Sequence, residues 1–101
     1  MKMKVKGKLS MNPRDIMRRV GYGEIVDRKH NTISYARRLS SERYPRFHVY
    51  VDEIENGIRI NIHIDQKQAS YEGSTAHSGE YEGPKLVEEL KRIQSEIKII
   101  N

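Results

Sequence analysis

The residues with the most chemistry per unit length lie in two runs near the middle of the chain. Arg46, His48, Tyr50 and Asp52 alternate with Phe47, Val49 and Val51. Arg59, Asn61, His63 and Asp65 alternate with Ile58, Ile60, Ile62 and Ile64. An imidazole oriented by a carboxylate is a general base in waiting. Two imidazoles and a carboxylate are also a ligand set that zinc, manganese or iron accepts. His48, His63, Asp65 and His77 are therefore the candidates for acid/base catalysis. The same four with Glu80 are the candidates for a metal site. The plainer reading is that antiparallel sheets keep one face wet, so the polar set only faces water.

Alternation has the period of a strand, which sends successive side chains to opposite faces. Between the two runs stands Asn56-Gly57, a strong hairpin signal because both residues tolerate positive φ. A two-residue turn on that pair predicts a hairpin of strands 47–54 and 58–65. In that register Val49 faces Ile64, Val51 faces Ile62, His48 faces Asp65 and Tyr50 faces His63. The apolar sets fall on one side and the imidazoles and acids on the other, the consistency that fixes a register.

The remaining elements must cover the apolar side. Asn12-Pro13 is a good helix start, Ile16, Met17 and Val20 share a face, and Gly21 stops it, which predicts a short helix over 13–20. Residues 24–27 and 32–39 read as strands joined by a turn at His30-Asn31. Gly83-Pro84 opens a helix over 84–98, with Leu86, Val87, Leu90, Ile93 and Ile97 as its apolar stripe. Glu88 and Glu89 suit the positive end of that helix and Lys98 its negative end. Residues 1–11, with Lys2, Lys4, Lys6 and Lys8 alternating, form a basic strand or tail, and 12–101 a single domain. The fold class is α+β: an antiparallel sheet of three to four strands, its central hairpin packed against both helices. Residues 66–83 hold no aliphatic side chain larger than alanine, which marks a long functional or mobile connection. This loop could fold His77, Glu80 and Tyr81 over the polar face. Its echo of Tyr71-Glu72-Gly73 in Tyr81-Glu82-Gly83 is too short for a repeat architecture.

The chain has 101 residues and no cysteine, which excludes disulfides, thiolate metal sites and a thiol nucleophile. No apolar run is long enough for a membrane span and the first residues do not form a secretory signal, so a cytoplasmic location is expected. The net charge of +5 is unevenly placed: residues 1–46 carry thirteen Lys/Arg against four Asp/Glu, and residues 47–101 six against ten. Arginine dominates the basic half and is interleaved with tyrosine. Arg14, Arg18 and Arg19 lie on the first helix, Arg37 and Arg38 follow Tyr35, and Arg43 and Arg46 bracket Tyr44. Arginine grips phosphate bidentately and tyrosine stacks on bases, which is how single-stranded nucleic acid is held.

The segments His63-Ile64-Asp65-Gln66-Lys67, Ser70-Tyr71-Glu72-Gly73 and Ala76-His77-Ser78-Gly79-Glu80-Tyr81 resemble a family of small proteins to which no function is attached. The likeness runs mainly over residues 46–93. It implies that the strand end and loop are the recognisable feature of such proteins and says nothing of their chemistry.

Three functions are therefore open. The first is a non-enzymatic RNA- or single-stranded DNA-binding module using Arg14, Arg18, Arg19, Arg37, Arg38, Arg46, Tyr35 and Tyr44, with no cofactor. The second is a small enzyme acting on a phosphate-containing substrate through His48, His63, Asp65 and His77, either by acid/base chemistry or with zinc or manganese. The third is a protein-interaction module, a homodimer through the hairpin edge or through the C-terminal helix ending in Ile97, Ile99 and Ile100.

Overall fold

The computed structural model describes residues 1–67 and 79–101, so His77 lies outside the described residues. In chain order the elements are β1 (Lys2–Lys6), α1 (Pro13–Arg19), β2 (Gly23–Asp27), β3 (Thr32–Arg38), β4 (Arg46–Ile54), β5 (Gly57–Asp65), β6 (Gly79–Glu80) and α2 (Pro84–Ile100). The strands form one antiparallel sheet, ordered β1-β5-β4-β3-β2. The two-residue β6 pairs with the end of β5 that β1 leaves uncovered. The sheet is thus five strands wide, not three to four: the basic start of the chain is a strand, and 23–27 is another. α2 runs two residues beyond 98, and Val20 caps α1 instead of ending it.

The hairpin is the middle of this sheet. Its isoleucine side is the core: Val49, Ile58, Ile60, Ile62 and Ile64 are almost fully buried beneath Ile16, Met17 and Val20 from the α1 side and Leu86, Ile93 and Ile97 from α2. Both described helices lie on that side, and among the described residues the opposite face carries no helix. The Asn12 side chain accepts from the Asp15 amide at 2.9 Å, which caps α1 as expected.

The register differs from the expected one by one step of two. His48 faces His63, Val49 faces Ile62, Val51 faces Ile60, Tyr50 faces Asn61 and Arg46 faces Asp65. The bend is Glu55-Asn56, and Gly57 already belongs to β5. Asn56 takes positive φ at 59°, and Gly57 sits at 156°. The physical reason lies in β1, whose backbone passes so close to Gly57 that a Cβ there would collide with the Val5 carbonyl oxygen. Gly7 also donates to the Asn56 carbonyl at 2.8 Å, which fixes the crossing. Because the shift is two residues, every side chain keeps its face. β5 is flanked by β4 and by β1 and β6, whereas β3 pairs with β4 only over Arg46–Val49, so Tyr50–Ile54 of the hairpin lies outside that ladder among the described residues. The free edges among the described residues are β2 on one side and β1 with β6 on the other. On α2, Ile97 is buried and Ile100 packs against the core, leaving Ile99 outside at 78 % exposure.

One polar network joins the helix layer to the sheet. Glu89 is 4 % exposed and accepts from the Tyr22 hydroxyl at 2.6 Å and from Arg92 at 2.8 and 3.0 Å. Arg37 on β3 reaches the same carboxylate at 3.3 Å, and Arg92 also donates to the Val20 carbonyl at 2.8 Å. Burial pushes the Glu89 carboxyl up, but the hydrogen bonds from Arg92 and Tyr22 outweigh it and hold the group below its ordinary value. No described helix is long and apolar enough to cross a membrane.

Replacing Gly57 by alanine should lower stability by more than about 1 kcal/mol, since the added Cβ meets backbone and φ is unfavourable. Gly23→Ala should be nearly neutral by comparison, because its Cβ would find nothing nearer than the Ala36 carbonyl oxygen at 3.9 Å. Urea unfolding of the two variants checks this, and equal midpoints would contradict the close crossing of β1.

Candidate functional site on the open sheet face

Paired residues in an antiparallel ladder share a face. The helix-free face therefore collects Lys2, Lys4 and Lys6 from β1, Arg59, Asn61, His63 and Asp65 from β5, and Arg46, His48, Tyr50 and Asp52 from β4. From β3 it takes Ser34, Ala36 and Arg38, and from β2 Gly23, Ile25 and Asp27. Six strand cations stand there against three carboxylates: Lys2, Lys4, Lys6, Arg38, Arg46 and Arg59 against Asp27, Asp52 and Asp65.

Asp65 is the organising group. Its Oδ1 accepts from His63 Nε2 at 2.7 Å. Its Oδ2 accepts from Arg46 Nε at 3.1 Å and lies 3.1 Å from His48 Nδ1. Burial pushes this carboxyl up, but the donors from His48, His63 and Arg46 more than cancel that and hold it far below the usual carboxylate range. An ionised carboxylate only accepts, so the nitrogens turned toward it carry protons. In a neutral His48 the far nitrogen, Nε2, is then an acceptor, and the Ser34 hydroxyl lies 2.8 Å from it. Ser34 is itself buried at 6 % exposure. The result is a chain of contacts from Ser34 through His48 and Asp65 to His63. No buried side-chain nitrogen or oxygen among the described residues lacks a partner.

Four rings lie in a row above this network. The His48 ring is 4.8 Å from Tyr50 and 4.9 Å from His63, and His63 is 5.1 Å from Tyr81, nearly parallel to it. The outer members of the row are open, with Tyr50 at 39 % and Tyr81 at 53 % exposure. Beside the row a depression between β2, β3 and β4 is lined by Arg38, Arg43, Tyr44 and Arg46 together with Gly23, Glu24, Ile25 and Ala36. Arg38 and Arg46 are directly paired across the strands, and the Arg46 guanidinium sits 4.8 Å over the Tyr44 ring. Like charges held opposite each other repel, and here the Asp65 carboxylate beside Arg46 offsets that repulsion.

The arginines and tyrosines named from the sequence divide between the two layers. Arg14 pairs with Glu24 at 2.9 Å and Arg18 and Arg19 are exposed on α1, all on the helix side. Arg37 is tied to Glu89 and Tyr35 is buried in the core. Arg38, Arg46 and Tyr44 meet at the open face. Of the catalytic and metal candidates, His48, His63 and Asp65 come together with one ligand atom each inside 4.8 Å. Glu80 stands opposite Ile64, on the core-facing register, and binds Gln66 instead. Sequence reasoning missed Ser34, whose only signal is its alternation with Tyr35 on β3. It also left out Lys2, Lys4 and Lys6 as residues of this face, although their period-two spacing marked one side. No family model, no curated protein and no solved structure matches the chain, so no relative supplies a role for this face.

Asp65 and Glu89 both have depressed folded-state values, whereas unfolded Asp and Glu protonate near about pH 3.9 and 4.3. The unfolded chain therefore binds more protons in acid. Their stabilisation is complete above about pH 5 and is lost progressively as pH falls below about 4. Denaturation midpoints at pH 3, 4, 5 and 7 should show this fall, with a shallower slope in Asp65→Asn. An unchanged slope in that variant would mean that Asp65 is not held by its three donors.

Proposed function

We propose that the open sheet face binds single-stranded nucleic acid, with bases stacked on the ring row and phosphates held by the arginine depression beside it. The observation that carries this reading is the adjacency of Tyr50, His48, His63 and Tyr81 to Arg38, Arg43 and Arg46 on a face that no helix covers among the described residues. Stacking on an aromatic side chain is worth about 1–3 kcal/mol per base and tolerates any base. Arginine offers a planar fork that matches a phosphate. The lysines of β1 extend the positive potential to the far edge of the sheet. A duplex groove is a poorer match, since a broad sheet with stacked rings suits unpaired bases.

The same histidines permit a second reading, a bound zinc or manganese ion. The ligand spacing favours the metal-free arrangement. A tetrahedral zinc ion with ordinary bonds separates its ligand atoms by about 3.3 Å. The His63–Asp65 distance of 2.7 Å is that of a hydrogen bond, and Arg46 already occupies the same carboxylate.

Fluorescence anisotropy with oligouridine across a salt series tests the proposal. Affinity should fall steeply with salt, by about 0.7 in log–log slope per neutralised phosphate. Arg38→Ala with Arg43→Ala should reduce that slope by about 1.4. Tyr50→Ala should weaken binding by roughly tenfold, in line with one lost stacking contact. The helix-side pair Arg18→Ala with Arg19→Ala should leave binding unchanged. Absence of binding at low salt, or an equal loss in the helix-side pair, overturns the assignment.

A further inference from the structure

Resting on the binding platform proposed above, we infer that the arginine depression is a seat for a terminal phosphate, so that this face selects strands with a phosphorylated end. An internal linkage of a nucleic acid carries one negative charge. A terminal phosphate monoester carries about −1.5 to −2 near neutral pH and presents three strong acceptor oxygens. The two kinds of phosphate therefore ask for different numbers of cations at one place.

The depression supplies the larger number. Arg38 on β3, Arg43 on the connection and Arg46 on β4 all line it. Arg46 already donates through Nε to Asp65 at 3.1 Å, so its charge is largely spent there. Arg38 and Arg43 form no salt bridge to a carboxylate among the described residues. Glu24 is the acidic residue of the lining. It pairs with Tyr35 on the helix-side register, and Arg14 holds its carboxylate at 2.9 Å. Three guanidiniums less the one that Asp65 draws on leave two, which matches a dianionic end and exceeds what a single linkage neutralises. Each guanidinium fork can give two parallel hydrogen bonds to phosphate oxygens, so two forks suit a group with three free oxygens better than a linkage with two.

The shape agrees with the charge. Gly23 pairs with Ala36 across β2 and β3, and Ala36 pairs with His48 across β3 and β4. A missing side chain and a single methyl at these positions leave a hollow of about 380 Å³ beside the His48 ring. The Tyr50 ring lies 4.8 Å from the His48 ring and is exposed, so a strand seated by its end brings its first bases to a ring open for stacking. On a strand with no terminal phosphate the depression takes an internal one, and one of its two available cations stays unmatched.

The test uses the full chain in competition anisotropy against a labelled oligouridine. The competitors are oligouridines of one length with hydroxyls at both ends, with a 5′-phosphate, with a 3′-phosphate, and with each terminal phosphate methyl-esterified, which keeps the size and removes one charge. A phosphorylated strand should compete roughly tenfold better than the unphosphorylated one, the scale of one added charge-assisted hydrogen bond. Its methyl ester should lose most of that gain. Arg38→Ala with Arg43→Ala should abolish the preference and keep its circular dichroism spectrum, and Arg43→Ala alone should reduce it. Tyr50→Ala should weaken all the strands alike and keep the preference. Uridine monophosphate and inorganic phosphate should compete far more weakly than the phosphorylated strand. Equal affinity with and without a terminal phosphate, or a preference that survives in the double arginine variant, would overturn the inference and leave the platform standing. A free monophosphate that competes as well as the strand would overturn the strand end as the occupant. Absence of binding by every oligouridine would remove the platform and this inference with it.

Discussion

A single carboxylate governs the polar side of this protein. Asp65 stands at the end of the central strand β5, where it is partly withdrawn from water and faces two imidazoles and a guanidinium. An ion in that position is costly unless its lone pairs are filled, and here three side chains fill them. The requirement acts in both directions. It holds Asp65 ionised, and it sets the rings of His48 and His63 and the fork of Arg46 in fixed orientations. His48 then turns its far nitrogen to Ser34, and the contact chain spans β3, β4 and β5. Removing the carboxylate would leave three donors facing one another.

The helix side makes this possible by carrying the stability elsewhere. The isoleucines of β5 and their neighbours are sealed under α1 and α2, so the opposite face is free to hold chemistry without contributing a core. Glu89 is the counterpart of Asp65 in that layer. It draws Tyr22, Arg92 and Arg37 into one buried cluster that locks α2 to the end of α1 and to β3. Each layer thus has a carboxylate at the centre of a cationic and aromatic set. The one under the helices is closed and structural, with Tyr22 pushed by burial and by Glu89 well above its ordinary ionisation range. The one on the open face has rings and arginines that still meet solvent.

Much of this was legible in the residues themselves, because a strand's period of two leaves little choice. Phe47 to Asp52 and Ile58 to Asp65 reveal which side chains share a face, and the Asn56-Gly57 pair reveals that the chain reverses there. The pairing partners were less legible. Gly57 is drawn into β5 by the backbone of β1, a contact more than fifty residues away in sequence that no local pattern reports. Since the resulting displacement is two residues, the grouping of imidazoles survived while their expected partners changed. Ser34 was invisible for a related reason: its meeting with His48 depends on β3 lying beside β4. The arginines show the limit of charge counting. Their density in the first half of the chain is real, yet α1 carries Arg14, Arg18 and Arg19 to one side and β3 and β4 carry Arg38 and Arg46 to the other. Glu89 left a trace that was readable: a carboxylate three residues after Leu86 and four before Ile93 falls on the apolar stripe, where it must find partners.

The account rests on the ring row and its arginine depression being the surface that meets the ligand. The most direct measurement is an aromatic proton–carbon NMR titration with oligouridine at low salt. The account predicts that the resonances of Tyr50, His48, His63 and Tyr81 move together and saturate together, while backbone signals along α1 stay in place. Shifts concentrated around Arg14, Arg18 and Arg19, with those four rings unmoved, would contradict it.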